Sequence, residues 1–256
     1  MLEQITPEVA CGFTTVNGGV SEGVYASANL GFHVGDSESH VASNRQILER
    51  VLGVPVVWMD QVHGVEIVNV KSEVMRRDEH GSLSVGTADG MILDYSNAPE
   101  TGLALAVMVA DCVPILIVDR VQNHAGVFHM GRAGMEQGTM RHAIARFLEL
   151  GSHPENLHVL MGPHICGKCY EVSLGVYEAS PMEARCVTRW GTRGIDVVAG
   201  GRVQATAYNV EVSVSSECTY EHDLFYSHRR ATHEGVTTGR FAGIACIKPS
   251  NTPVKY

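Results

Sequence analysis

The chain has no basic surplus. Its 19 Lys and Arg residues stand against 28 Asp and Glu, a net charge of −9 with a pI near 5.8. That excludes nonspecific nucleic-acid binding, which needs a basic surface, though one local arginine can still bind phosphate inside an acidic protein. No uncharged apolar run approaches the roughly 18 residues of a transmembrane helix, so no membrane partner is expected. The opening residues, Met1 through Phe13, lack the basic flank and long apolar core of a secretion signal. The 7 cysteines form no tight spacing framework, which predicts reduced thiols and a cytoplasmic protein. Repeats, linkers and low-complexity segments are missing too, so one domain is expected over residues 1–256. Two further gaps bear on metals. There is no His-x-His pair of the kind a multicopper oxidase needs. There is also no second Cys-x-x-Cys to complete a structural zinc site with Cys166-x-x-Cys169, which therefore read as loop cysteines.

With 45% hydrophobic and 18% charged residues, the chain can bury a substantial core. The most informative stretch runs from Leu103 to Gly134. Three apolar runs, Leu103 to Val109, Ile115 to Val118 and Ala125 to Phe128, read as buried strands, and the polar connector 119–124 makes a hairpin of the last two. Pairing Val118 near Gly126 puts Ile115 beside Phe128 or His129. Cys112 and His129 then meet at one end of the hairpin, a candidate active site. Upstream, residues 38–52 read as a helix capped by Asp36 or Ser37, with Val41, Ile47, Leu48 and Val51 as its apolar stripe and Gly53 as its stop. Arg45 on that helix reads, by pattern alone, as solvated or ion-paired. Val56 to Met59 and Val65 to Val70 read as strands flanking His63. Residues 71–86 read as a charged surface loop, and 87–94 return to a strand. Downstream, helices are expected over 135–150, 174–184 and 195–208, the last weakened by Gly200 and Gly201. Strands are expected over 157–161, 210–214 and 241–247.

Several motifs then converge. Gly18-Gly19-Val20-Ser21, Asn29-Leu30-Gly31, His33-Val34-Gly35-Asp36, Asn44-Arg45, Gln61-Val62-His63-Gly64, Ala110-Asp111-Cys112-Val113-Pro114 and His129-x-Gly131 come first. Gly162-Pro163, Tyr170-Glu171-Val172, Cys218-Thr219, Arg229-Arg230 and Thr238-Gly239-Arg240 follow in the same order. Taken together they resemble the laccase-domain family, also called multicopper polyphenol oxidase-like proteins or YfiH-type purine nucleoside phosphorylases, over nearly the whole chain. The resemblance implies an α/β fold in which mixed β-sheets form a sandwich flanked by α-helices. It implies a zinc ion held by His63, Cys112 and His129, with copper as the other metal such ligands accept. By the same likeness Asp111 would orient a ligand, and Arg45 would bind phosphate through its fork of donors. Asn29, His33 and Arg132 complete the expected substrate contacts. The implied reaction is phosphorolysis of adenosine, inosine or methylthioadenosine, with adenosine deamination as a second activity. The implied assembly is a monomer or homodimer.

One departure stands out. After the second histidine the family reads His-Ala-Gly-Trp-Arg-Gly, whereas this chain reads His129-Met130-Gly131-Arg132-Ala133-Gly134. The tryptophan is replaced and the arginine stands one place earlier. Similarly, Ser227-His228-Arg229-Arg230 replaces the family's Ser-Tyr-Arg-Arg. Three other readings remain open on the residues: a copper-dependent polyphenol oxidase, a metal-free hydrolase with Cys112 as nucleophile and His129 as base, and a nucleoside- or metal-binding module without turnover.

Overall fold

The computed structural model describes residues 2–248; Met1 and residues 249–256, the two ends of the expected single domain, lie outside them. Alternation along the strands decides the layering. In Leu103–Val109 the odd positions Leu105 and Val107 face one core while Ala104, Ala106 and Met108 face another. In Val113–Asp119, Leu116 and Val118 face the first core while Ile115 and Ile117 face a third. Every residue of these strands is buried, so the unbroken apolar runs reflect sheets covered on both faces. The first sheet orders its strands as Leu2–Gln4, Val9–Phe13, Phe241–Ile247, Leu103–Val109, Val56–Asp60, Leu83–Thr87 and Arg76–Arg77. The second runs Val212–Val214, Leu157–Met161, Val113–Asp119, Ala125–Met130, Gly90–Leu93 and Ile67–Asn69. The two pack face to face, the helix Glu38–Leu52 covers the outside of the first through Leu48 and Leu52, and the helices Thr139–Glu149 and Val197–Thr206 cover the second. The expected sandwich of mixed sheets flanked by helices is the observed one. All 7 cysteines are free thiols. Among the described residues, no helix is long and apolar enough to cross a membrane.

The hairpin forms in one of the two expected registers at its open end, Ile115 beside Phe128, with Val118 one residue from the expected Gly126. Val118 pairs with Ala125, Ile115 with Phe128 and His129 with Pro114. The helix over Glu38–Leu52 has the expected bounds, but its stripe is different: Val51 is 65% exposed while Asn44 and Arg45 are buried. The stretch expected as a loop over 71–86 contains most of the strand Leu83–Thr87, which pairs in parallel with Val56–Asp60. The expected 135–150 helix is two helices, Arg132–Gln137 and Thr139–Glu149, broken at Gly138, whose φ of 92° no helix accommodates. Gly200 and Gly201 do not merely weaken the Val197–Thr206 helix. A Cβ at Gly201 would come within 2.6 Å of Met130, and one at Gly200 within 2.3 Å of Met135. The glycines let the helix approach a methionine-rich layer.

Gly162 closes another tight contact, since a Cβ there would lie 2.2 Å from the Phe13 ring. A stiff ring yields less readily than a methionine tail. Gly162→Ala is therefore expected to cost about 1–3 kcal/mol through overpacking, read as a Tm lower by several degrees in a melt of the purified variant.

Candidate active site

Three times the chain crosses from one sheet to the other at the same end of the sandwich: through residues 61–66, 88–89 and 110–112. Each crossing delivers a polar side chain. The first brings His63, held at a φ of 62°. The third brings Cys112, directly after Asp111 at a φ of 86°. Such left-handed turns are sparsely populated for non-glycine residues. His129 arrives from the buried strand Ala125–Met130. The ligand atoms of His63, Cys112 and His129 all lie within 4.8 Å of one another. Cys112 Sγ is 4.0 Å from His63 Nε2, and the two imidazole rings meet edge to face at 4.6 Å. Gly131 makes room for them, because a Cβ there would lie 3.0 Å from Cys112 Sγ and 3.1 Å from the His63 ring.

The middle crossing supplies Asp89, a residue the sequence reading passed over. Its carboxylate is buried and accepts His129 Nδ1–H at 2.8 Å. It also accepts the backbone N–H groups of Val62, His63 and Gly64 at 3.2, 2.9 and 2.7 Å. One carboxylate thus fixes both the ring of His129 and the turn that carries His63. Burial works to raise its pKa, but His129 and these N–H groups hold it below the ordinary range. Burial likewise opposes a charged Cys112, yet His129 and His63 bring the thiol down to about 6. Against its own burial, His129 is held up to about 9 by Cys112 and Asp89. The arrangement favours a thiolate beside an imidazolium at neutral pH, and a thiolate is the form that binds metal or attacks an electrophile.

The trio borders a cavity of about 490 Å³, lined also by His33, Met59, Asp60, Gln61, Met108, His228 and Arg240. A second cavity of about 400 Å³ lies on the other side of Cys112, with Asp111, Arg132, Tyr170 and Arg229 in its wall. His33 stands where the sequence placed it, on the first cavity, its pKa lowered by burial and by the nearby Arg240 and Arg45. Arg132 faces the second cavity and is ion-paired to Glu136 at 2.6 Å. Met130 is wholly buried in the core under the second sheet.

Three of the expected site residues stand apart from the trio. Arg45 does not line the cavity of the trio. Its guanidinium is stacked between Phe32 and Trp58, 4.5 and 4.0 Å from the ring centroids. It donates to Leu30 O at 3.0 Å and lies 3.8 Å from Asp78, in the wall of an adjoining cavity. The helix face carrying it turns inward because Asn44 and Arg45 satisfy backbone groups of the 20–30 loop, a pattern that apolar periodicity cannot reveal. Asn29 is fully buried and stands behind the cavity wall; its side-chain carbonyl accepts the backbone N–H groups of Gly31 and of Arg240, which faces the first cavity. Asp111 accepts Thr219 Oγ1 and the Arg229 backbone N–H, both at 2.6 Å. It therefore ties down the loop before the last helix, while the orienting contact to a histidine ring belongs to Asp89. The signal for Asp89 was a lone Asp ahead of an unbroken apolar strand. Arg240 was equally visible, as the residue closing Thr238-Gly239-Arg240, and it faces the first cavity without a carboxylate in ion-pair reach among the described residues.

Residues 10–248 match the family described as multi-copper polyphenol oxidoreductase laccase. A protein of Streptomyces coelicolor named purine nucleoside phosphorylase is 38% identical over 239 residues, covering 91% of this chain and 93% of that protein. A Bacillus subtilis protein named purine nucleoside phosphorylase YlmD is 33% identical, covering 89% and 85%. The crystal structure of YlmD from Geobacillus stearothermophilus superposes with a TM-score of 0.82 at 30% identity, covering 96% of this chain and 94% of its own.

Proposed function

We propose, because this chain belongs to the multi-copper polyphenol oxidoreductase laccase family, that it is a zinc-dependent purine nucleoside phosphorylase acting as a single domain in the cytoplasm. What carries the reading is the convergence of His63, Cys112 and His129, with Asp89 behind them and Arg240 across the same cavity. Two imidazoles and one thiolate suit zinc, and three protein donors leave a fourth position open, as catalytic zinc sites do. When bound there, the ion would supply Lewis acidity and a template for phosphate or water. Copper suits the same donors, but phenol oxidation by several coppers needs more histidine clusters. Among the described residues only two donor groups can hold a metal, and the second contains no histidine.

The protein's own part is binding and orientation. A cavity of about 490 Å³ matches the size of small-ligand sites and admits a nucleoside. Arg240 donates one guanidinium nitrogen to the carbonyls of Thr238 and Gly239 at 3.2 and 2.9 Å, and its remaining donors can hold a phosphate oxyanion. His33 and His228 flank it on the same wall. Phosphate so held attacks C1′ as the N-glycosidic bond breaks, giving free purine and ribose-1-phosphate. Arg240→Met is expected to raise the KM for phosphate about 10- to 100-fold with less effect on the KM for nucleoside, since an Arg–phosphate contact is worth about 1.5–3 kcal/mol. Steady-state kinetics with each substrate varied in turn checks this.

The reaction itself is tested by incubating metal-replete protein with adenosine, inosine or methylthioadenosine plus phosphate. Release of base with stoichiometric ribose-1-phosphate is the expected result, and inosine formed with ammonia would add the deaminase activity. A well-folded, zinc-loaded protein that releases neither base nor ammonia overturns the proposal and leaves a binding module.

A further inference from the structure

The sequence sets Cys166-x-x-Cys169 aside for want of a second pair of ligands. The fold supplies one in a different form, Cys218-x-x-Glu221. The ligand atoms of Cys166, Cys169, Cys218 and Glu221 all lie within 4.8 Å of one another, away from the trio. Two loops are zipped together to achieve this. His164 and Cys218 form a parallel bridge, with Thr219 N–H donating to His164 O at 2.9 Å and His164 N–H to Glu217 O at 3.3 Å. The two loops turn in the same manner. Cys169 and Tyr170 donate their N–H groups to Cys166 O, and Glu221 and His222 donate theirs to Cys218 O. Each turn brings residues i and i+3 to one side, the spacing used by paired zinc ligands.

The surroundings are also those of a metal-bound thiolate cluster. Cys166 N–H donates to Cys218 Sγ at 3.3 Å, a contact that favours the charged sulfur. Arg189 grips Glu221 Oε1 at 2.8 Å, which leaves Oε2 turned toward Cys166 Sγ at 3.9 Å. A ligating carboxylate is commonly steadied by a partner of this kind. Cys169 and Cys218 are buried while Glu221 is exposed, so an ion would enter at the Glu221 corner. We propose that these four residues form a second, structural metal site that takes a zinc-class divalent cation on three thiolates and one carboxylate. The ligands would close to a tetrahedron with edges of about 3.8 Å, set by Zn–S bonds of about 2.3 Å. Without metal, burial keeps the Cys169 and Cys218 thiols above their usual range, so binding releases protons. The site would fasten the loop bearing Ile165 and Tyr170, part of the second cavity wall, to the loop whose Thr219 holds Asp111.

Metal content measured on protein purified under reducing conditions tests the site without relying on activity. Wild type is expected to carry about two zinc ions per chain, and Cys112→Ala about one. Loaded with Co²⁺, the Cys112→Ala protein should retain a thiolate-to-cobalt charge-transfer band, and adding Cys218→Ser should remove that band. Because Cys112→Ala leaves the second site untouched, the test does not depend on a cluster variant that folds. Cys112→Ala protein with no zinc and no thiolate-to-cobalt band overturns the proposal. So does a mass two hydrogens lighter under the same reducing conditions, which would mark a disulfide within the cluster.

Discussion

Cys112→Ser and His129→Ala are each expected to lower kcat/KM for phosphorolysis by roughly a thousandfold, the scale of several kcal/mol of lost metal assistance. The trio loses its only thiolate in the first variant and a buried nitrogen donor in the second. Zinc at this site should fall with activity. Cys112→His separates metal ligation from nucleophilic attack, because imidazole can replace thiolate as a ligand but not in the role of a thiol nucleophile. Retained zinc with measurable turnover in Cys112→His supports ligation; retained zinc with turnover as low as in Cys112→Ser favours the hydrolase chemistry of a Cys–His pair.

Asp89→Asn is expected to cost about 10- to 100-fold in zinc affinity or turnover, the usual effect of losing a carboxylate behind a ligating histidine. Asparagine keeps one acceptor for the N–H groups of Val62, His63 and Gly64, but its amide nitrogen brings a donor into a site built from donors. With the amide oxygen at the Oδ2 position, His129 Nδ1–H and the His63 N–H lose their acceptor; with it at the Oδ1 position, the N–H groups of Val62 and Gly64 lose theirs. The variant should fold, whereas Asp89→Ala, which strands a buried imidazole as well as the three amides, should be destabilised by about 3–5 kcal/mol. Zinc competition against a chelator, with denaturant melts of both variants, reads the two effects separately. Unchanged zinc affinity and unchanged turnover in Asp89→Asn would show that the carboxylate serves the fold alone.

How far the sequence reaches is clearest at these residues. Cys112 and His129 could be paired from strand counting, since a hairpin with a connector of known length fixes its own register to within a residue; the observed pair is Val118 with Ala125. His63 came from motif resemblance, and no local pattern would have brought it across a sheet-to-sheet crossing. Asp89 was hidden because its work is done on backbone amides, which leave no trace in side-chain periodicity. The burial of Arg45 was hidden for a related reason. Its helix buries polar residues that satisfy a neighbouring loop, so the apolar stripe pointed to Val51, which is exposed. The strand Leu83–Thr87 escaped because its neighbour Arg76–Arg77 is an exposed edge whose charges make the segment read as loop. Cys166 and Cys169 were dismissed because the nearby Cys218-x-x-Glu221 keeps the spacing of a Cys-x-x-Cys pair but carries a glutamate in place of its second cysteine.

Dependence of phosphorolysis on a zinc ion held by His63, Cys112 and His129 is what the proposed function requires. It is tested most directly by measuring ribose-1-phosphate from adenosine and phosphate with zinc-stripped protein, then during titration back with zinc. Negligible turnover after stripping, restored as zinc returns and not restored in Cys112→Ser, is the predicted result. Full turnover in the stripped protein, abolished by thiol alkylation, would contradict it.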